Sequence, residues 1–245
     1  MKFYLGTHMP SWLWFAEFPL FVSHRRLSGR KRLSRAVCDW ALDSGGFTEL
    51  SMFGEWRTSR GEYVDAVRRY VAEIGRLEWA SPQDWMCEPH IVSQTGLSVR
   101  EHQQRTVENF CELRSETPDL PFIPVLQGWT EQDYVDCIKL YERVGIDLTA
   151  ERIVGVGSVC RRQHVNEIQS IMSTITEAGI RPHGFGVKNL GLRSYASLLT
   201  SADSMAWSYR GRHEPGCMPN HVTEANCYRF AQGWRNRLLV NAASS

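Results

Sequence analysis

The sequence predicts an α/β protein, a (β/α)8 TIM-like barrel. Three observations carry that expectation. The chain has 245 residues, about the length one such barrel needs. Eight short apolar, β-prone runs recur along it, most of them alternating with segments of helical period. Several of these runs end in a carboxylate, an amide or glycines, the residue types that barrels carry at the carboxyl ends of their strands. A doubly wound open sheet is the structural alternative, because the first two strands lack a good helix between them.

Phe3 to Thr7 is apolar and closed off by Pro10, which makes it the first strand. Trp12, Trp14, Phe15 and Phe18 follow, and read as a hydrophobic lid over one end of the core. Leu20 to Ser23 is the second strand. A run from Ala36 to Leu42, broken only by Asp39, leads into Asp43-Ser44-Gly45-Gly46-Phe47. This is a buried third strand ending in a loop where backbone approaches a ligand, since only glycine lacks the Cβ that blocks such an approach. Glu62 to Leu77 has helical spacing, with Val64, Val67, Tyr70, Val71 and Ile74 as its apolar stripe. Asp84-Trp85-Met86-Cys87-Glu88-Pro89 reads as the fourth strand, ending in a carboxylate. Ser98 with Glu101 is a capping box that opens a helix to about Arg114.

Phe122 to Gly128 is the fifth strand, carrying Gln127 at its end. Thr130 caps the helix of Tyr134, Ile138 and Tyr141. Ile153 to Ser158 is the sixth strand, with Gly155 and Gly157. A helix from Asn166 to Ala178 stops at Gly179. His183 to Val187 is the seventh strand, Tyr195 to Leu199 a short helix, and Ser201 to Ala206 the eighth strand, bearing Asp203. The last helix, Tyr228 to Leu239, spaces Phe230, Trp234 and Leu238 four apart as a docking face. No linker divides the chain, so residues 1–245 are expected as one barrel domain, with 210–245 as a C-terminal extension.

Composition narrows the class. With 42% apolar and 22% charged residues the chain reads as soluble and globular. No run approaches the ~20 apolar residues of a membrane span. Lys2 to Gly6 enters a strand directly, without a signal-peptide pattern, and seven scattered cysteines fit a reducing cytoplasm better than a disulfide framework. The net charge of +1 recruits no polyanion globally, so nucleic-acid binding needs a local patch. The densest positive charge is His24 to Arg35, with Arg25, Arg26, Arg30, Lys31 and Arg32. It is interleaved with Gly and Ser and carries no acid, which favours a phosphate-contacting loop over a solvated face. Arg210 and Arg212 are a second, smaller set. Between His213 and Cys227 lie two histidines and two cysteines, His213, Cys217, His221 and Cys227. These residue types make a tetrahedral zinc set, on a loop marked by Pro215, Gly216 and Pro219, although the spacing is not that of a standard finger.

Five pieces taken together, Asp43-Ser44-Gly45-Gly46-Phe47, Val125-Leu126-Gln127-Gly128, Val154-Gly155-Val156-Gly157, Gly184-Phe185-Gly186-Val187 and Ala202-Asp203-Ser204, resemble the tRNA-guanine transglycosylases and their DNA-acting relatives, the deazapurine-in-DNA transglycosylases. They stand in that family's order and spread over most of the chain. The resemblance implies a barrel that exchanges guanine for a 7-deazaguanine, such as 7-cyano-7-deazaguanine, in a polynucleotide. It implies Asp203 as nucleophile and Asp43 as the acid that handles protons on the leaving and entering bases. Gln127, followed by Gly128, matches the glutamine that bonds the base carbonyl. Gly155 and Gly157 match the backbone that reads the base edge, Phe185 and Gly186 the segment covering one face, and Ser44, Gly45, Gly46 and Phe47 the loop closing the other. The family's acid for the base's amino group falls near Cys87, with Glu88 next, so either reads that edge. The family's C-x-C-x-x-C zinc cluster is absent as written, while its habit of a structural zinc after the nucleophile favours the tail set.

The chemistry fits those residues. One carboxylate attacks the anomeric carbon to give a glycosyl-enzyme, and a second moves the base's proton. A base inside a duplex must first be flipped out. The absence of an added RNA-binding domain favours DNA over tRNA as partner, alongside the 7-deazaguanine base and partner modification proteins. Two further classes stand beside this: a metal-dependent hydrolase using Asp43, Glu88 and His183, and a catalytically dead barrel that only binds nucleic acid.

Overall fold

A computed structural model describes residues 1–160, 165–219 and 221–243. The strands are β1 (Lys2–Thr7), β2 (Leu20–Ser23), β3 (Trp40–Asp43), β4 (Leu77–Ala80), β5 (Val125–Leu126), β6 (Val154–Val156), β7 (Pro182–Gly184) and β8 (Ser201–Ser204). The helices are α1 (His24–Leu27), α2 (Gly46–Phe53), α3 (Arg60–Glu73), α4 (Pro89–Thr95), α5 (Val99–Glu116), α6 (Glu131–Arg143), α7 (Val165–Glu177), α8 (Asn189–Tyr195), α9 (Ala206–Gly211) and α10 (Tyr228–Ala243). Between β1 and β2 there is only a 3-10 turn, Pro10–Trp14.

All strand pairs are parallel, in the order β4-β3-β2-β1-β8-β7-β6-β5. The two outer strands meet through a parallel bridge between Ala80 and Phe122, where Ala80 N–H donates to Pro121 O and Ile123 N–H to Ala80 O. The sheet thus curls into a (β/α)8 barrel. The fifth strand pairs in two short pieces because Pro124 has no N–H to give the ladder.

Alternation along the strands divides the apolar residues into two sets. Tyr4, Phe21, Ala41, Trp79, Ile123 and Ile153, with Phe185, fill the barrel. Phe3, Leu5, Leu20, Val22, Trp40 and Leu42 face outward and join helix residues such as Val67, Tyr70, Phe110 and Ile171 in the larger core. The same parity sends Ser23, Asp43 and Asp203 inward at the carboxyl ends, because Asp43 follows Ala41 by two and Asp203 pairs with Tyr4.

Capping boxes start three helices, Ser59 with Glu62, Ser98 with Glu101 and Thr130 with Asp133, each satisfying backbone N–H groups that the first turn leaves free. The aromatic stretch after β1 packs on α10: Trp12 and Phe18 contact Tyr228, and Phe3 of β1 meets Trp234. Among the described residues no helix is long and apolar enough to cross a membrane.

The largest differences from the sequence expectation lie at the fourth strand and after the third. The fourth strand is Leu77–Ala80, and Asp84 to Glu88 is an extended loop running into Pro89 at the start of α4. The helix pattern of residues 62–77 hides that strand. The helix ends at Glu73, and the turn that follows needs Gly75 at φ 68° and Arg76 at φ 54°. Glu78 lies at the barrel foot between Lys2 and Arg152. In addition, Gly46 and Phe47 do not prolong a loop; they begin α2 one residue after the Gly45 turn.

Candidate active site

The carboxyl ends of the strands surround a cavity of about 600 Å³. Of the residues expected at the site, Asp43, Gly46, Phe47, Glu88, Gln127, Gly157, Phe185, Gly186 and Asp203 line it, as do Arg25 and Arg26. Asp43 is half-buried at the end of β3. Its Oδ1 accepts the Gly45 N–H at 3.1 Å, and the Ser23 hydroxyl also bonds it. Burial under the mouth raises its pKa, its hydrogen bonds oppose that, and the negative charge of Asp203 adds to the rise. Asp203 stands at the end of β8, 5% exposed, with Oδ1 accepting the Gly186 N–H at 2.8 Å.

Gly45 is required twice over. Its φ is 86°, and a Cβ there would meet the Arg25 stem at 2.8 Å. That stem lies over the turn because Glu49, buried on α2, takes the Arg25 guanidinium at 3.1 Å and the Arg57 N–H at 2.8 Å. Gly155 has a different reason: a Cβ would sit 2.5 Å from the Phe185 ring, so its absence lets that ring lie on the barrel filling beside Phe21.

The residue that sequence reasoning missed is Asp84. It lines the cavity, 8% exposed, and its Oδ2 accepts from the Gln127 amide; Oδ1 lies 3.4 Å from the Ser44 hydroxyl. Ser158, on the other side of Gln127, donates to Gln127 Oε1 or to Glu88 Oε2, both at 2.8 Å. Its φ of 56° is a left-handed conformation held by a non-glycine residue. The result is a continuous polar edge, Asp84–Gln127–Ser158–Glu88, along one wall. The Cys87 side chain takes no part in it. The residue is buried, its N–H donates to Ser158 Oγ at 2.8 Å, and its Sγ points to the carbonyls of Trp85 and Val99. Ser44, Gly45, Gly128 and Gly155 stand behind the lining: Ser44 anchors to Ser81, and Gly128 lies against Asp133 of α6.

Burial pushes the Asp84 carboxyl up to about 7, with the charges of Asp43 and Glu88 adding to the rise. A carboxyl raised in the fold and ordinary in the unfolded chain favours the folded state most below its unfolded pKa, and that advantage is lost as pH climbs to the folded one. Stability is therefore expected to fall between about pH 4 and pH 7. Asp84→Asn should flatten that fall, so that the variant is the more stable protein at pH 8. Urea melts of both proteins across that range measure it; parallel curves would contradict the assignment.

The basic run is divided by the fold. Arg25 and Arg26 belong to α1 at the mouth. Arg30, Lys31 and Arg32 are exposed, and the Lys31 carbonyl bonds Arg69 of α3 on the flank; Arg35 reaches Gly75 at the opposite end. The chain has to descend there to begin β3. Arg210 on α9 pairs with Glu214 at 3.4 Å, and Arg212 is exposed; neither lines the cavity.

In the tail, Cys217, His221, Glu224 and Cys227 bring one ligand atom each within 4.8 Å of one another. His213 is replaced by Glu224 in this set; its ring packs on Tyr209 instead. Cys and His types alone do not point to this acid. Cys217 Sγ lies 3.5 Å from Cys227 Sγ and 3.7 Å from His221 Nδ1. Ligands about 2.0–2.3 Å from one tetrahedral ion are separated by roughly those lengths. Glu224 is 3% exposed and its Oε2 is buried without a hydrogen-bond partner, which a cation would satisfy. The four residues fit a metal ion.

The family model described as DpdA, DeoxyPurine in DNA protein A, matches residues 1–245. No curated protein matches the sequence significantly.

Proposed function

The chain belongs to the DpdA family, transglycosylase-like enzymes of DNA modification, and from that premise we propose that it exchanges guanine for a 7-deazaguanine in DNA through a covalent aspartyl-glycosyl intermediate. The observation that carries the reading is the pair of inward carboxylates, Asp43 and Asp203, at one mouth beside a polar wall suited to a purine edge. The two sit in different surroundings. Asp203 is held by a backbone N–H, as suits a nucleophile, whereas the raised pKa of Asp43 suits a group that carries a proton.

In this reading a flipped guanine lies between Phe47 and Phe185. Gln127 donates to its carbonyl oxygen, and Asp84, rather than Cys87 or Glu88, accepts from its amino group. Asp203 attacks the anomeric carbon as Asp43 protonates the departing base. The entering 7-deazaguanine then gives its proton to Asp43 and takes the sugar from Asp203. Arg25, oriented by Glu49, and Arg26 contact the backbone phosphates. The hydrolase alternative needs His183 to turn toward Asp43 and Glu88, but its two ring nitrogens face Ser201 and Asp203.

The direct test supplies guanine-containing DNA, with tRNA in parallel, and isotope-labelled 7-cyano-7-deazaguanine, followed by nucleoside mass spectrometry. Label in deoxynucleosides is expected. Label in tRNA alone would move the substrate to RNA, and label in neither would refute base exchange with this base.

We assign the tail ion as zinc, held by Cys217, His221, Glu224 and Cys227. Its part is structural, tying the loop to the start of α10. Purified protein should contain about one zinc per chain. Cys217→Ala and Glu224→Gln should lose it and open the tail to protease, while His213→Ala keeps it. Elemental analysis retaining zinc in Glu224→Gln but not in His213→Ala would restore the histidine as ligand.

A further inference from the structure

We propose that His183 is a positioning residue for the nucleophile: its imidazole N–H stands behind Asp203, decides which carboxylate oxygen attacks, and receives the returning charge when the glycosyl-enzyme breaks down. The proposal rests on the base-exchange reading and adds a residue to it.

His183 is fully buried on β7, opposite Ser201 in the β7–β8 register. Its ring sits in the aromatic filling of the barrel, with ring centroids 4.6 Å from Trp79, 4.9 Å from Phe185, 5.8 Å from Tyr4 and 5.9 Å from Phe21. Among these walls, the Tyr4 hydroxyl is engaged with Glu78 and Trp79. An apolar ring would fill this space without burying two nitrogens, so packing alone does not account for an imidazole.

Both nitrogens face β8 instead. Nδ1 is 2.7 Å from Ser201 Oγ, and Nε2 is 3.4 Å from Asp203 Oδ1. Ser201 and Asp203 are two apart and so share the inner face. When the Ser201 hydroxyl donates to Nδ1, the proton of a neutral ring stands on Nε2, facing the carboxylate. That Nε2 is buried and makes no aligned hydrogen bond. A small turn of the Asp203 carboxyl completes it. Oδ1 would then hold two donors, His183 Nε2–H and the Gly186 N–H already at 2.8 Å, leaving Oδ2 free.

The step balances. An Oδ2 lone pair forms the bond to the anomeric carbon, while the pair of the glycosidic bond leaves with the base, which takes a proton from Asp43. On return, the nitrogen of the entering base attacks, the carbon–Oδ2 bond breaks, and its electron pair spreads over the carboxylate. Part of that charge falls on Oδ1, against the His183 and Gly186 donors. His183 keeps its proton throughout.

The experiment compares His183→Gln, His183→Asn and His183→Phe in the full chain. It uses single-turnover formation of the covalent enzyme–DNA species on a guanine-containing oligonucleotide. The Gln amide nitrogen reaches to where Nε2 stands, the Asn nitrogen only as far as Nδ1, and Phe fills the ring volume with no donor. Asn and Phe are expected to lose about 10²-fold in rate with DNA affinity and base KM unchanged, and Gln to recover most of it. Wild-type rate in His183→Phe, or an equal fall in all three, would overturn the proposal while leaving Asp203-dependent exchange standing. Absence of any Asp203-dependent covalent species in the wild type would refute the base-exchange reading, and the proposal with it. A check that needs neither folding of the variants nor turnover is the 15N spectrum of labelled histidine in the wild type. His183 should show the Nε2–H tautomer, with its Nε2 signal moving in Asp203→Ala; the Nδ1–H tautomer would count against the role.

Discussion

Asp203→Asn should bring base exchange to background and leave no covalent enzyme–DNA species. The amide keeps the shape of the carboxyl and its bond from the Gly186 N–H, so the fold and the cavity should survive. What it loses is the lone pair and charge that attack the anomeric carbon. Without that bond the reaction has no intermediate from which an entering base can displace the enzyme. Removing a nucleophile that acts as part of a unit costs at least about 10⁴-fold in rate. Denaturing electrophoresis with a guanine-containing oligonucleotide is the measurement. The band should be present in the wild type and absent in this variant. A band that persists in Asp203→Asn and is lost in Asp43→Asn would reverse the two roles.

Asp43→Asn should slow exchange by about 10²–10⁴-fold without abolishing attack, because it removes proton transfer and not the nucleophile. The pH profile carries the sharper signature. Burial and the charge of Asp203 raise the Asp43 pKa, so the carboxyl holds its proton above the ordinary carboxylate range. The rate of base departure in the wild type should therefore fall as pH rises through that raised value and Asp43 ionises. In Asp43→Asn there is no such proton to lose, and this alkaline limb should vanish from the residual rate. Single-turnover rates of base release across pH test it. An unchanged limb in Asp43→Asn would assign the proton to another group, with Asp84, pushed up to about 7, the next to replace.

The sequence by itself determined the barrel and which acids close its third and eighth strands. Alternation with a period of two is local, so Asp43, two residues after Ala41, already turns inward once its strand is recognised. The same logic turns Gln127, Gly157 and Phe185 inward, and residue type and nearness group Cys217, His221 and Cys227. Only the tertiary structure decided which acid completes each set. Asp84 enters the cavity and Cys87 turns away because β4 ends at Ala80, leaving a loop whose path is fixed by its packing against Gln127, Ser158 and α5, not by period. Glu224 supplants His213 because the loop folds back, its Pro215 bridging to Thr223. The basic run looked like one patch but spans the height of the barrel, since a connection between parallel strands must return from one end to the other. In the sequence His183 stood out only as a hydrolase candidate beside Asp43 and Glu88. Its relation to Asp203 arises from the β7–β8 register, a pairing that neither strand encodes alone.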